Sequence, residues 1–349
     1  MNNPLLITYE YPPQHGGIGK YLEQEVKNFE NKEENQVIII HAQDYEMPLW
    51  PQWLPLVWKS RFLLKNNKCD SIWISHILPI GYIALIYKKI FKIPYRVYLH
   101  GLDLVCPRKS FWKSFWVRRI LLNSDEIVVN SKATANLLAY YKIPVSLARV
   151  QYPRIEHTDA SIYKKVGEGL RKKYEVGKKL VLLSIGRLVK RKGIDLVIQS
   201  LPKIWEQIPG LVYVVIGDGE ERDNLRVIAS EVTAERGNPV TNAQSDKHGI
   251  ASVANTLHRN DNGIIFAGAV SDEEKYGWLS TCNCFILTPK DDADDFEGYG
   301  IVYKEAQMFD KPVIGSKVGG VPEAVGDDGI LVEPNNVDEI IEKVIQNIK

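Results

Sequence analysis

The feature that most narrows what this chain can fold into is an alternation, run through twice, of short apolar stretches with helical ones. In the first half, runs at Leu5–Tyr9, Val37–His41, Ser71–Ser75, Tyr95–His100 and Glu126–Asn130 have the length of buried strands. Between them Gly19–Phe29, Ile80–Ile90, Phe111–Leu122 and Ser131–Tyr140 carry helical spacing, and Ser131 before Lys-Ala-Thr suits a helix cap. Strand, helix, strand is the βαβ unit, which builds parallel sheets with helices on both faces. The polar stretch 156–179 breaks the pattern and predicts a linker with a short helix. The alternation resumes with strands at Leu180–Ile185, Leu211–Ile216, Ile264–Phe266, Cys284–Leu287 and Pro312–Ser316. Helices are expected at Ile194–Trp205 and Glu221–Ala229 and from Ser271 and Ile301. Residues 231–262 are polar and too long for an ordinary connection, which predicts a mobile surface loop.

A chain of 349 residues suits two domains of about 150 to 170 residues better than one. The alternation sets them at 1–155 and 180–335, with 336–349 as a C-terminal helix. Both are α/β and doubly wound, and such sheets bind ligands at the carboxyl ends of their strands. Topology alone does not separate this pair from other paired Rossmann-like proteins. Cys69, Cys106, Cys282 and Cys284 lack metal-ligand spacing and read as reduced core thiols of a cytosolic protein. The chain opens on Leu5-Leu-Ile-Thr, which reads as a strand and not as a signal peptide, and Lys and Arg interrupt every candidate membrane span.

The net charge of +1 conceals an asymmetry. Residues 1–155 hold 20 Lys and Arg against 12 Asp and Glu, and the remainder holds 24 against 31. Thirteen cations against two acids fall within 59–119, interleaved with aromatics as in Phe111-Trp112-Lys113-Ser-Phe115-Trp116-Val-Arg118-Arg119. The tryptophan-rich run Trp50–Trp58 lies upstream. Aromatics at headgroup level with cations on anionic phosphate describe a peripheral membrane surface. Nucleic acid would use similar ingredients, but no nucleic-acid motif is present.

Several loops have the composition of ligand sites. Gly16-Gly17-Ile-Gly19 leads from a strand into a helix, where bare backbone could face a diphosphate or an acceptor; its spacing is not that of a dinucleotide fingerprint. His100-Gly-Leu-Asp103 closes the fourth strand. Gly186-Arg187 and Lys192-Gly193 place two cations at a strand end, able to neutralise a leaving diphosphate. Gly217-Asp218-Gly219 and Gly268-Ala-Val270-Ser271 end two further strands. In Glu297-Gly298-Tyr299-Gly300-Ile301 the first glutamate belongs on a loop, and Glu305 on the second turn of the helix that follows. The glycines let amide groups approach phosphate while the carboxylates take sugar hydroxyls. Gly319-Gly320-Val-Pro322-Glu323 is a second loop running into a helix.

Glu297, seven residues and Glu305, with Ala306, Lys311-Pro-Val-Ile and Gly319–Glu323, closely resemble the motif of the retaining glycosyltransferases of family 4. The resemblance covers nearly the whole chain and is strongest from Leu180 to Glu333. It implies the GT-B fold: two Rossmann-like doubly wound parallel-sheet domains facing across a cleft, the first for the acceptor and the second for a nucleotide sugar. It also implies that the last helix returns toward the first domain. Arg187 and Lys192 would hold the donor diphosphate with the amides of Gly298, Tyr299, Gly300 and Ile301. Glu305 would hold the ribose, and Glu297 and His100 the sugar. Gly217, Asp218, Gly219 and Val270 would lie near the nucleotide, and Gly16, Gly17 and Gly19 correspond to the family's first loop. Tyr299 stands where phenylalanine is commoner.

Phe296 to Ala306 most resembles the mannosyltransferases acting on membrane lipids, which implies GDP-mannose or another nucleotide hexose as donor and a glycan or lipid-linked acceptor on the cytosolic face of the membrane. Asp292-Ala-Asp294 matches the Asp-x-Asp of metal-dependent transferases of another fold, but it lies in an acidic surface loop, and neither metal nor cofactor is expected. Two other readings make different demands on the sequence. An inactive sugar-nucleotide-binding subunit would keep the second-half motifs but lose His100 or the Gly16–Gly19 loop. A phosphorylase would need a pyridoxal-phosphate lysine in a recognisable segment, which is not found.

Overall fold

The computed structural model describes residues 3–13, 16–31, 35–45, 51–155, 159–235, 263–292 and 295–348. His15, Trp50, Asp294 and the expected surface loop from residue 236 onward lie outside the described residues. The chain divides into two compact units.

Met1–Arg154 with Ala293–Tyr299 forms the first unit. Its strands are β1 (Pro4–Thr8), β2 (Ile38–His41), β3 (Ser71–Ser75), β4 (Tyr95–Leu99), β5 (Glu126–Val129) and β6 (Ala148–Val150). Its helices are α1 (Gly17–Glu30), α2 (Leu54–Asn66), α3 (Ile77–Phe91), α4 (Leu102–Val105), α5 (Phe111–Asn123) and α6 (Lys132–Asn136). The strands pair in parallel in the order β2-β1-β3-β4-β5-β6, the flavodoxin-like arrangement. Successive side chains alternate between two cores. Leu5, Ile7, Ile72, Ile74, Val97, Leu99, Ile127 and Val129 enter the larger one. Leu6, Trp73, Tyr98 and Val128 enter a smaller one shared with Tyr21, Leu22 and Val26 of α1. Ser131 caps α6 by accepting from the Thr134 N–H, as its position predicted.

Ile155–Asp292 with Gly300–Lys349 forms the second unit. In chain order it contains α7 (Ala160–Lys173), β7 (Val181–Ile185), α8 (Ile194–Gln207), β8 (Val212–Ile216), α9 (Arg222–Glu235), β9 (Ile264–Gly268) and α10 (Asp272–Thr281). There follow β10 (Cys284–Leu287), α11 (Ile301–Gln307), β11 (Val313–Ser316), α12 (Val321–Val325), β12 (Ile330–Val332) and α13 (Val337–Asn347). The parallel order β12-β11-β10-β7-β8-β9 is the Rossmann arrangement. The final helix, α13, packs on α8 of its own unit.

Three differences from the sequence expectations have physical reasons. Residues 231–235 are not loop but the end of α9. Cys282 and Cys284 are buried free thiols, and burial pushes Cys282 up to about 12. Cys69 is only half-buried and Cys106 is exposed, so these two are not core thiols. Finally, the stretch read as a linker carries α7, a helix of 14 residues containing Gly167 and Gly169. Glycine lowers helix propensity, so the short helix expected there is longer than its sequence suggests. Gly167 has a packing role: a Cβ there would stand 2.4 Å from the Gly277 carbonyl oxygen of α10. Gly167→Ala should therefore destabilise the protein by about 1–3 kcal/mol through overpacking, although alanine is the better helix former. Urea unfolding decides between the two effects, and an increase in stability would refute the close contact.

Candidate functional site

In doubly wound sheets the strands on either side of the point where the winding reverses leave room at their carboxyl ends for a ligand. In the second unit those strands are β7 and β10. After β7 the chain runs through Gly186, Arg187 and Leu188 against the loop after β8: Gly186 N–H donates to the Ile216 carbonyl and Leu188 N–H to that of Asp218, at 3.0 and 2.9 Å. Gly217 makes this closeness possible, because a Cβ there would lie 1.9 Å from the Gly186 carbonyl oxygen. Gly219 likewise packs on Leu188, where a Cβ would lie 2.4 Å from the carbonyl oxygen. Asp218 turns outward, accepting from the Gly219 N–H at 2.8 Å and pairing with Arg222 at 3.3 Å. These three residues therefore shape the loop, whatever they contact in a ligand.

The two expected cations differ in setting. Arg187 is exposed, whereas Lys192 is buried with its stem over Gly186. Lys192 ends a 3-10 turn, Lys190–Lys192, and Gly193 follows at φ 65°, where a Cβ would strike the Thr288 carbonyl after β10. Lys290, past the end of β10, pairs with Asp195 at 2.5 Å. Lys190 is exposed and Arg191 half-buried.

Gly300, at φ 85°, precedes α11, so Ile301 opens the helix and Glu305 lies on its second turn. Glu305 is buried, and its Oε1 accepts from Lys275 Nζ at 2.5 Å and from the Tyr276 hydroxyl at 3.3 Å. Both partners come from α10, and Val270 is half-buried just before the Ser271 cap of that helix.

The first unit presents a polar group at the ends of β1, β3 and β4. The buried His100 ring bonds Ser75 Oγ through Nε2 at 2.9 Å. Ser75 Oγ also lies 3.4 Å from His76 Nδ1, and His76 Nε2 lies 3.8 Å from Glu10 Oε1. His76 sits at φ 71°, an uncommon conformation for histidine. Burial, with the His76 ring adding to it, pushes the His100 imidazole from 6.5 down to about 3. His100 is thus a neutral hydrogen-bonding group at pH 7. Asp103, expected only as a neighbour, accepts from the His100 and Gly101 amides at 3.0 and 2.9 Å and fixes the turn. Gly16 precedes α1, exposed Gly17 begins it and buried Gly19 lies in its first turn; a Cβ on Gly16 would stand 2.7 Å from Glu10 Oε2.

The segment containing Glu297 belongs to this first unit. Gly298 lies so close that a Cβ would stand 2.0 Å from the His100 carbonyl oxygen and 2.8 Å from Asn130 Nδ2. Glu297 is buried, and Tyr299 stacks at 5.7 Å on Tyr152. The structure thus gathers Glu297, Gly298 and His100 in one unit, and Arg187, Lys192, Gly217 and Glu305 in the other. Glu10, Ser75, His76, Asn130 and Lys275 were not singled out by sequence reasoning. The detectable signal was that Glu10, His76 and Asn130 each follow an apolar run within two residues. Among the described residues no group of three or more His, Cys, Asp or Glu is arranged to hold a metal. A cavity of about 350 Å³ in the first unit, walled by Trp73, Arg96, Glu126 and Arg149, includes none of the expected residues.

The aromatic and basic segments expected at a membrane form a continuous surface on α2, α3 and α5. Trp53 packs on Tyr82 with tilted rings, and Trp116 meets Tyr82, Trp112 and Phe115 edge to face. Outward of this ladder Trp58, Phe111 and Trp112 are 74, 88 and 63 % exposed. Not every cation of 59–119 serves that surface: Arg96 pairs with Glu126 in the cavity wall, Lys88 pairs with Asp125, and Arg118 donates to the Tyr141 carbonyl. No described helix is long and apolar enough to cross a membrane.

Known proteins match this chain along its length. The sequence profile described as glycosyltransferase family 4 matches residues 19–158, and two described as glycosyl transferases group 1 match 168–256 and 237–349. A GDP-mannose-dependent α-(1-6)-phosphatidylinositol monomannoside mannosyltransferase of Mycobacterium tuberculosis is 22 % identical, across 99 % of this chain and 89 % of its own. An α-1,3/1,6-mannosyltransferase of Homo sapiens is 28 % identical over 80 % of this chain and 64 % of its own. Among solved structures, Anabaena HepE in complex with UDP and glucose superposes with a TM-score of 0.71 at 18 % identity, covering 99 % of this chain and 90 % of that one. Sucrose-phosphate synthase of Thermosynechococcus elongatus gives 0.71 at 17 % identity with the same coverage.

The neutral His100 makes stability depend on pH. Its folded pKa of about 3 lies below the ordinary 6.5, so between these values the unfolded chain binds a proton that the folded protein refuses. Stability is complete above pH 6.5 and falls as pH drops, by up to about 1.4 kcal/mol per unit. Burial raises the Asp103 carboxyl above 3.8 and acts in the opposite sense at lower pH. Melting temperatures at pH 7.5, 6 and 5 should fall for the wild type and fall less for His100→Gln; equal slopes would reject the assignment.

Proposed function

Because the chain belongs to glycosyltransferase family 4, we propose that it transfers a hexose, taken here as mannose, from a nucleotide diphosphate sugar to a glycan or lipid-linked acceptor, with retention of configuration and without a bound metal. The observation that carries this reading is the arrangement at the reversal point of the second sheet. There Lys192 is buried against Gly186, with exposed Arg187 on the same loop. Two cations at the carboxyl end of a parallel strand suit a diphosphate, whose charge grows as the bond from the sugar C1 to its phosphate oxygen breaks. In this mechanism Arg187, Lys192 and the amides from Gly298 to Ile301 stabilise the departing diphosphate, a task that a metal performs in other transferases. Glu305 accepts from the ribose hydroxyls. Glu297 and neutral His100 hold the sugar hydroxyls, and His100 acts by orientation, since it carries no proton to donate as an imidazolium at pH 7.

GDP-mannose is the preferred donor because the two sequence relatives named above are mannosyltransferases, one of them GDP-mannose-dependent and acting on a phosphatidylinositol mannoside. A membrane-lipid acceptor also gives the α2–α3–α5 surface a role. Trp58, Phe62, Phe111 and Trp112 would enter the headgroup region, while Lys113 and Arg119 meet anionic phosphates. The protein would then work at the cytosolic face as a peripheral enzyme.

Arg187→Ala should lower kcat/KM by about 100-fold or more, as loss of a charge-stabilising group does in such sites. Transfer of labelled mannose from GDP-mannose to a membrane extract, with EDTA present, measures it, and wild-type turnover would remove Arg187 from the site. Lys113→Gln with Arg119→Gln should reduce the partition onto phosphatidylinositol-containing vesicles, read by co-sedimentation, by about thirtyfold, at about 1 kcal/mol per cation, while nucleotide binding is unchanged. Undiminished sedimentation would count against this face.

A further inference from the structure

We propose that Lys275 is a positioning residue for the donor's ribose: it holds Glu305 in a buried ion pair and so fixes the carboxylate on which the ribose hydroxyls bond. The inference rests on the reading of Glu305 given above and adds a residue from a different helix to that site.

Lys275 Nζ stands 2.5 Å from Glu305 Oε1, with the two side chains only 11 and 5 % exposed. The ammonium lies 3.5 Å from Asp272 Oδ1 and 4.4 Å from the centre of the Tyr276 ring. Tyr276 brings its hydroxyl to the same Glu305 oxygen at 3.3 Å and packs on Tyr163 and Phe309. Lys275 is held from behind as well. Its N–H donates to the Ser271 carbonyl at 2.9 Å, and Ser271 Oγ caps the helix by accepting from Glu274. An ammonium is not needed to fill this space, since an apolar side chain would do so without the cost of removing two charges from water. Its effect is on the carboxylate. Without Lys275 the buried Glu305 carboxylate would rotate toward water, taking its oxygens away from the ribose. With Lys275 in place Glu305 stays aimed. Lys275 does not itself touch substrate in this scheme.

The test compares GDP with 2′-deoxy-GDP and 3′-deoxy-GDP, and UDP with its deoxy forms, by calorimetric titration of wild type, Lys275→Met, Lys275→Arg, Glu305→Gln and the Lys275→Met/Glu305→Gln double variant. Lys275→Met should weaken the ribonucleotide about tenfold and the deoxy forms little, collapsing the ribose preference, and Lys275→Arg should restore part of it. The double variant buries no lone charge, so it separates misfolding from mispositioning: a folded double variant lacking the ribose preference agrees with the proposal. If Glu305→Gln collapses the preference and Lys275→Met keeps it, or if Lys275→Met weakens ribo and deoxy forms equally, the proposal is overturned and the ribose reading stands. If Glu305→Gln itself keeps the preference, the ribose reading fails, and the proposal fails with it.

Discussion

A strand inside a parallel sheet has no free side. Its backbone groups are taken by two neighbours and both its faces are covered by other elements, so every residue along it is constrained to be apolar or fully satisfied. In the first sheet this is visible as the strict alternation of Leu5, Leu6 and Ile7 between two cores. The chain is released from that constraint most fully where a strand ends, so polar chemistry collects there: Glu10, His76, His100 and Asn130 in one unit, Arg187, Asp218 and Lys290 in the other. Activity and fold are therefore not independent designs here. The one determines where the other can be placed.

The same constraint explains what could be read from the residues alone. Central strands are announced by continuous apolar runs, and each was placed within a residue or so. The edge strands β6 and β12 escaped, because Ala148–Val150 and Ile330–Val332 are three residues long and mostly half-buried. Helix α7 was expected only as a short helix within a linker, because the glycine that its packing on α10 demands looks, locally, like a helix breaker. At the site, residues contiguous in sequence were legible and partners across strands were not. Ser75 and His100 are separated by 25 positions and meet only because β3 and β4 are neighbours. Strand order is not written in spacing, so Lys275 could not be paired with Glu305 in advance. The Glu297–Glu305 run reads as one motif, yet its first glutamate is packed with His100's unit and its second in the other.

Paired charge is handled in two ways in this molecule, half-exposed in one unit and buried in the other. In the first unit Glu126 bonds Arg96 and Arg149, at 2.5 and 2.7 Å, and Arg96 lies over the Trp73 ring, a network that holds neighbouring strands together. In the second, Glu305 shares one oxygen between an ammonium and a phenol. The former spreads its charge over three side chains spanning β4, β5 and β6. The latter concentrates it at one carboxylate, which costs more to bury and is correspondingly sensitive to the loss of a partner.

The distribution of tryptophan has an optical consequence. Trp73, Trp205 and Trp278 are sealed in the cores, while Trp58 and Trp112 stand in solvent. A water-soluble quencher such as iodide would therefore reach the emission from α2 and α5 and leave the interior emission untouched. The chain carries, without any label, a fluorophore population that reports on one surface against an internal standard provided by its own cores.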